Sequence, residues 1–119
     1  MEKKYTWEKI AESVEALEFA SNNIAVAEVK GKKICIGKFR DELFAFAHEC
    51  PHAGGIMARG YIDGMGQVVC PVHEMKFSLK TGMNGSGEDY RLRHWPVETR
   101  ETGVFVGLEE KPGNWNVFR

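Results

Sequence analysis

Two short segments of this chain each combine a cysteine with a histidine: Cys50-Pro51-His52 and Cys70-Pro71-Val72-His73. Each segment offers one thiolate and one imidazole within a few residues. The seventeen residues 53–69 between them are enough for one loop to return beside the other through an intervening sheet. The two segments together predict a four-ligand metal site, whose candidate ligands are Cys50, His52, Cys70 and His73.

The identity of the metal depends on how the ligand types are distributed. Two thiolates and two imidazoles suit tetrahedral zinc, and they also suit a [2Fe-2S] cluster in which imidazoles replace both thiolates on one iron. Common zinc fingers pair Cys with Cys in one segment and His with His in the other. Both segments are mixed here, which allows the cysteines to bind one iron and the histidines the other. The spacing favours the cluster and leaves structural zinc as the alternative.

The patterns Cys50-x-His52 and Cys70-x-x-His73 resemble the ligand segments of the Rieske iron-sulfur family. From Ile34 to Val106 the chain is similar to a soluble Rieske ferredoxin or to the small subunit of an assimilatory nitrite reductase. Further residues that match the family pattern are Gly60, Pro71, Phe77, Thr81, Gly82 and Trp95-Pro96-Val97. The resemblance implies one Rieske-type [2Fe-2S] cluster, bound by the four candidate ligands, and no catalytic residue.

Length and charge restrict the class of protein further. A chain of 119 residues is long enough for one domain with a proper core. With 16 basic and 17 acidic residues, the net charge of −1 does not favour binding to nucleic acid or to an anionic membrane. The longest apolar run, Leu43 to Ala47, is too short to cross a bilayer, and residues 1–4 lead into no segment that resembles a signal peptide. We therefore expect a cytoplasmic protein.

Short β-type runs separated by Gly, Asp and Asn predict an all-β fold. Ile24 to Lys30 and Lys32 to Phe39 flank Gly31 as a hairpin, and Leu43 to His48 forms a strand that leads into the first ligand segment. A second strand pair, Gly60 to Gly64 and Gln67 to Cys70, leads into the other ligand segment. Both ligand loops should therefore follow strands.

The resemblance implies a Rieske-like antiparallel β-sandwich with a small cluster-binding subdomain inserted, at about residues 48–82 of a single domain, 1–119. At the N-terminal end, Trp7 to Phe19 is ambiguous between strand and helix, and the resemblance favours a strand followed by one helical turn. The tail, residues 109–119, is expected to be an arm whose aromatic side chains dock on the domain. Cys35, within an apolar strand, is expected to be a small buried hydrophobe.

Departures from the family pattern lead to a prediction of the reduction potential. High-potential Rieske proteins carry a disulfide between their ligand loops and hydroxyl groups near the cluster. The matching positions in this chain are Gly55, Val72, Met75 and Phe77. Because these features are absent, we predict a potential of about −150 to 0 mV. Glu74 stands where the family usually has glycine, so a carboxylate is expected near the cluster, where it would lower the potential or mark the docking face. The alternative is an ordinary solvated side chain.

Three further expectations concern the surroundings of the centre. Backbone N–H groups of residues 53–55 are expected to point at the sulfides. Met57, Met75 and Met83 are candidates for an exposed apolar collar, although each is individually expected to serve packing. The aromatic side chains expected in the core are those of Phe44, Phe46, Trp95 and Phe105.

The resemblance implies a soluble, low-potential one-electron carrier. Its expected partners are an NAD(P)H-dependent flavoprotein reductase and a terminal oxygenase. An alternative is the small subunit of an assimilatory nitrite reductase, which would be bound to the large subunit. Because the sequence has no nucleotide fingerprint and no substrate-pocket motif, we expect a component of an oxidoreductase system rather than a stand-alone enzyme. A zinc-binding interaction module and a redox sensor are alternatives from other classes.

Overall fold

The structure of the protein, a computed structural model, describes residues 5–51, 54–72, 74–84 and 91–109. Ten strands and two one-turn 3₁₀ helices lie within these ranges. The strands are β1 (Tyr5–Ala11), β2 (Ile24–Val29), β3 (Lys32–Phe39), β4 (Glu42–Ala47), β5 (Tyr61–Ile62), β6 (Gln67–Val69), β7 (Lys76–Ser78), β8 (His94–Trp95), β9 (Val97–Arg100) and β10 (Gly103–Glu109). The 3₁₀ helices are Val14–Ala16 and Met57–Arg59. Apart from Glu109, the predicted C-terminal arm lies outside the described residues.

The strands form three antiparallel sheets, which confirms the all-β prediction. The first sheet has the order β1-β10-β9, the second β2-β3-β4-β8 and the third β5-β6-β7. The first two sheets enclose a core of side chains from β2, β3, β4 and β10 and thus form the predicted sandwich. A second core lies between the other face of the second sheet and the third sheet. The second sheet is therefore shared by two cores.

Two tight turns connect the strands of the second sheet. Lys30 and Gly31 have φ angles of 51° and 80°, and Arg40 and Asp41 have φ angles of 52° and 63°. Two consecutive residues with positive φ form the type of turn whose twist matches that of the flanking strands. The predicted hairpin around Gly31 is confirmed. The second turn directs β4 towards Cys50.

Strand β3 is buried on both faces because it lies inside the shared sheet. Ile34 and Ile36 contribute to the sandwich core, whereas Cys35 contributes to the core beneath the third sheet. Cys35 is fully buried, which confirms the prediction of a small buried hydrophobe. Burial raises the pKa of its thiol to about 12. The thiol is therefore protonated at neutral pH.

The N-terminal segment forms a strand followed by one helical turn, which confirms the favoured prediction. The side chain of Ser13 accepts a hydrogen bond from the backbone N–H of Ala16 at 3.2 Å and caps this turn. Strand β1 then pairs with the last strand, with Tyr5 opposite Glu109. The two ends of the described chain therefore close the sandwich.

Met57 is fully buried in the core beneath the third sheet, which confirms the packing role expected of it individually, whereas Met83 is 49% exposed. One expectation about side-chain position is wrong. Phe105 was expected in the core, but it is only partly buried, and the Arg100 guanidinium carbon lies 4.5 Å from its ring centre. Across the described ranges, no helix is long and apolar enough to span a bilayer.

Candidate metal centre

Two loops deliver the predicted ligands, and each leaves the end of a strand. Loop 1, residues 50–55, follows β4, and loop 2, residues 70–75, lies between β6 and β7. The strands before the loops belong to different sheets, which share the second core. The prediction that both ligand segments follow strands is confirmed.

Each of the two loops is closed by a backbone hydrogen bond, and the two bonds occupy equivalent positions. The N–H of Cys50 donates to the carbonyl oxygen of Gly55 at 2.8 Å, and the N–H of Cys70 donates to that of Met75, also at 2.8 Å. Each bond joins a cysteine to the residue five positions later. The loops therefore share an equivalent closing bond at two cysteines that are twenty residues apart.

The repeat extends to the residue four positions after each cysteine. Gly54 in loop 1 and Glu74 in loop 2 both have left-handed backbone conformations, with φ angles of 71° and 53°. A non-glycine residue in this region carries a steric cost on the order of 1–2 kcal/mol. This backbone requirement explains why glycine is expected at the position of Glu74.

The thiols of Cys50 and Cys70 meet between the loops. Both residues are buried, with 3% and 0% of their surface exposed. Burial raises the pKa of the Cys70 thiol above its ordinary value, and the adjacent Cys50 thiol raises it further through a hydrogen bond and its charge. The backbone N–H of Val72 donates to the Cys70 sulfur and acts in the opposite direction. The two thiols therefore share one buried site.

Gly55 allows loop 1 to lie directly against loop 2. A Cβ atom at Gly55 would lie 3.0 Å from the sulfur of Cys70 and 2.8 Å from a methyl carbon of Val72. Both distances are too short for ordinary packing. Gly55 and Val72, the positions matched to the disulfide of high-potential proteins, thus face each other across the loops.

The expectation about backbone donors in loop 1 is wrong for Gly54. Its N–H donates to the carbonyl oxygen of Cys50 at 2.9 Å and so contributes to the loop itself. Ala53, another of the three expected donors, lies outside the described residues. The structure instead assigns a donor that the sequence analysis missed, the N–H of Val72 beside the Cys70 sulfur.

The other two predicted ligands, His52 and His73, lie outside the described residues. Within the part of the chain that the structure describes, no three His, Cys, Asp or Glu side chains form a group that could hold a metal ion. The described half of the predicted site nevertheless fits a cluster, because two buried thiols from separate loops converge as ligands of a single iron must. The histidine ligands remain a prediction.

The fold and the paired thiols define an all-β protein with two buried, adjacent thiols between two loops. A family model described as the Rieske [2Fe-2S] domain matches residues 6–96. The chain belongs to the Rieske [2Fe-2S] domain family. This membership confirms the predicted family and its Rieske-type cluster, and it leaves the alternative of structural zinc without support.

Proteins similar to this chain include a component of an oxygenase system. The 3-phenylpropionate/cinnamic acid dioxygenase ferredoxin subunit of Escherichia coli K12 is 39% identical over 71 residues, which cover 58% of this chain and 66% of that protein. Together with the fold, this relative confirms the predicted class, a Rieske ferredoxin.

Solved structures that share the fold include the following two. One belongs to a complex of reduced oxygenase and oxidized ferredoxin in carbazole 1,9a-dioxygenase, with 25% identity, a TM-score of 0.70, and coverage of 90% of this chain and 97% of that chain. The other, from Mycobacterium tuberculosis, is assigned as the small subunit of an NADH-dependent nitrite reductase. It has 17% identity, a TM-score of 0.73, and coverage of 87% of this chain and 95% of that chain, and it shows the fold alone.

Proposed function

We propose that this protein carries single electrons from a flavoprotein reductase to a terminal oxygenase, using one [2Fe-2S] cluster. Cys50 and Cys70 would bind one iron, and His52 and His73 the other. The observation that carries this proposal is the convergence of two buried thiols between two loops that are closed by equivalent hydrogen bonds. When bound, the cluster would accept and release one electron at a time.

The residues around the thiols hold the sulfur ligands in place. The closing hydrogen bonds of both loops fix the backbone on either side of each cysteine. The N–H of Val72 is directed at the Cys70 sulfur, where it would stabilise negative charge on a thiolate. Ligands held in this way need to move little when an electron arrives, which favours fast exchange.

The organisation that accompanies this function is also a proposal. The chain would be one domain, residues 1–119, in which the third sheet and the two loops form the cluster-binding subdomain at about residues 48–82. The second core supports the single domain, because it joins Cys50, Cys70 and the third sheet to the second sheet. We also propose a cytoplasmic location, where such a carrier would meet a reductase that uses NAD(P)H.

A test of the cluster begins with anaerobically purified protein. We expect two irons and two acid-labile sulfides per chain, a visible absorption spectrum, and an EPR signal after reduction with dithionite. Redox titration should give a midpoint potential of about −150 to 0 mV. Colourless protein that contains zinc but no sulfide would refute the proposal.

The partners are tested by electron transfer between purified proteins. NADH or NADPH should reduce the cluster rapidly only when a flavoprotein reductase is present, and the reduced protein should then be reoxidised by a Rieske-type oxygenase. The second candidate function, a nitrite reductase small subunit, is favoured by the likeness in fold to the M. tuberculosis chain. Stable co-purification with a nitrite reductase large subunit, without electron transfer to an oxygenase, would establish that alternative.

A further inference from the structure

The one charged difference between the two repeated loops lies four residues after the cysteine. Gly54 occupies this position in loop 1 and Glu74 in loop 2, both with left-handed backbones. The backbone here is suited to glycine, yet loop 2 carries a charged side chain. A residue that is held in an unfavourable conformation beside a candidate site is a reason to look for a function.

The Glu74 side chain is exposed, and its charge is not balanced by a neighbour that the structure describes. Among residues 5–51, 54–72, 74–84 and 91–109, no Lys or Arg forms an ion pair with Glu74. The nearest basic residue along the chain is Lys76, and its Nζ atom lies 3.8 Å from Oδ2 of Asp63. No basic side chain within the described ranges therefore offsets a negative charge at Glu74.

The position of Glu74 in the loop brings this charge close to the proposed cluster. The N–H of Cys70 and the carbonyl of Met75 close the loop around Glu74, which directly follows the proposed ligand His73. The bond from Cys70 to Met75 returns the chain beside Cys70 immediately after Glu74, and charges are largely screened only beyond about 8 Å at physiological ionic strength. A charge at this position is therefore screened only in part.

We infer that Glu74 is a tuning residue that lowers the reduction potential of the cluster. Reduction adds one negative charge to the centre, and a fixed negative charge nearby makes that addition less favourable. The equivalent position of loop 1, Gly54, carries no side chain. The inference rests on the proposed function, and it goes beyond it by assigning part of the low potential to one residue.

The test compares three variants of Glu74 that separate charge from backbone conformation. Glu74→Gln removes the charge and keeps the side chain, Glu74→Gly removes both the charge and the steric cost, and Glu74→Lys reverses the charge. Glu101→Gln is the matched control. It removes an exposed carboxylate from the β9–β10 turn, in the first sheet, which lies on the opposite side of the second sheet from the third. With stacked sheets about 10 Å apart, the control charge lies well beyond the screening length.

Midpoint potentials are measured by optical redox titration at pH 7 and physiological ionic strength. We expect Glu74→Gln and Glu74→Gly to favour reduction equally, by about threefold to tenfold, which corresponds to about 30–60 mV upward. Glu74→Lys should shift the potential about twice as far. Glu101→Gln should leave it unchanged. Added salt should reduce the differences between the variants.

Other outcomes would overturn the inference. A shift in Glu74→Gly without one in Glu74→Gln would assign the effect to the backbone of loop 2, and unchanged or lowered potentials in all three variants would exclude tuning by charge. Iron and sulfide content separates this failure from failure of the proposed function. Intact clusters with unchanged potentials contradict only the role of Glu74, whereas wild-type protein without a cluster contradicts both proposals.

Discussion

Loop 1 and loop 2 have equivalent closing hydrogen bonds, but they differ in the packing and exposure of their side chains. Both are closed by a bond from a cysteine N–H to a carbonyl five residues later. Loop 1 ends in Gly54 and Gly55, which leave space for close approach to Cys70, whereas loop 2 ends in Glu74 and Met75. Glu74 is exposed, and Met75 packs against the second core. One loop is thus fitted to its neighbour, while the other presents a side chain to solvent.

The strongest test of the equivalence of the loops replaces their cysteines one at a time. Cys50→Ser and Cys70→Ser should each abolish the normal cluster, because both thiolates are proposed to bind the same iron. Iron, sulfide and visible absorbance measured after identical purification check this expectation. A normal cluster in only one of the two variants would show that the loops do not contribute equally.

The next largest effect is expected from a side chain in the tight contact between the loops. Gly55→Ala would place a methyl group 3.0 Å from the sulfur of Cys70 and should cost about 1–3 kcal/mol of stability through overpacking. The cluster content should fall as well. Adding Val72→Ala should restore part of both, since it removes the 2.8 Å contact. Urea unfolding and iron content are the measurements, and an undisturbed Gly55→Ala protein would contradict the close packing.

Cys35 provides a reference for the loop cysteines, because it lies in the same core but belongs to neither loop. Its folded-state pKa of about 12 exceeds the ordinary value of 9.0, so the unfolded chain releases the proton first as the pH rises. This contribution to stability is complete below pH 9 and is lost progressively between pH 9 and pH 12. At pH 10 the loss should be about 1.4 kcal/mol.

The measurement for Cys35 is urea unfolding at pH 8 and pH 10, with Cys35→Ala as the comparison. The wild type should lose more stability than the variant between these two pH values. Equal losses would show that the Cys35 thiol does not have the raised pKa. The loop cysteines are present in both proteins, so their own titration cancels in the comparison.

The smallest effects are expected at Gly54 and Glu74, the two residues with left-handed backbones, where substitutions should change the free energy of unfolding in opposite directions. Gly54→Ala should destabilise the protein by about 1 kcal/mol, because alanine is strained at a φ of 71°. Glu74→Gly should stabilise it by a similar amount, because it removes the same strain at a φ of 53°. Thermal or urea unfolding at neutral pH provides both values. Changes of the same sign would contradict the conformational repeat.

The sequence predicts those features that depend on local chemistry. The Gly31 hairpin, the strands before both loops and the buried Cys35 were all predicted, since turn residues and apolar runs determine them directly. The family resemblance identifies the ligand segments for the same reason, because it depends on residue types at fixed spacing. Of the four predicted ligands, the structure describes two, Cys50 and Cys70, and it places their thiols together.

The features that sequence reasoning missed depend on contacts between distant segments. Phe105 faces outward beneath Arg100 because β10 presents that side of the strand away from the core. Apolar character alone does not distinguish this position from a core position. The glycine expected in place of Glu74 was a signal for the left-handed backbone, but the matching closure of the two loops became visible only in the structure.

The pairing of β1 with β10 has a consequence for the order of folding. Tyr5 and Glu109 are 109 − 5 = 104 residues apart along the chain, whereas Cys50 and Cys70 are 70 − 50 = 20 residues apart. Closing the longer segment costs about 1.5 kcal/mol more chain entropy. The two cysteines can therefore come together before the terminal strands meet.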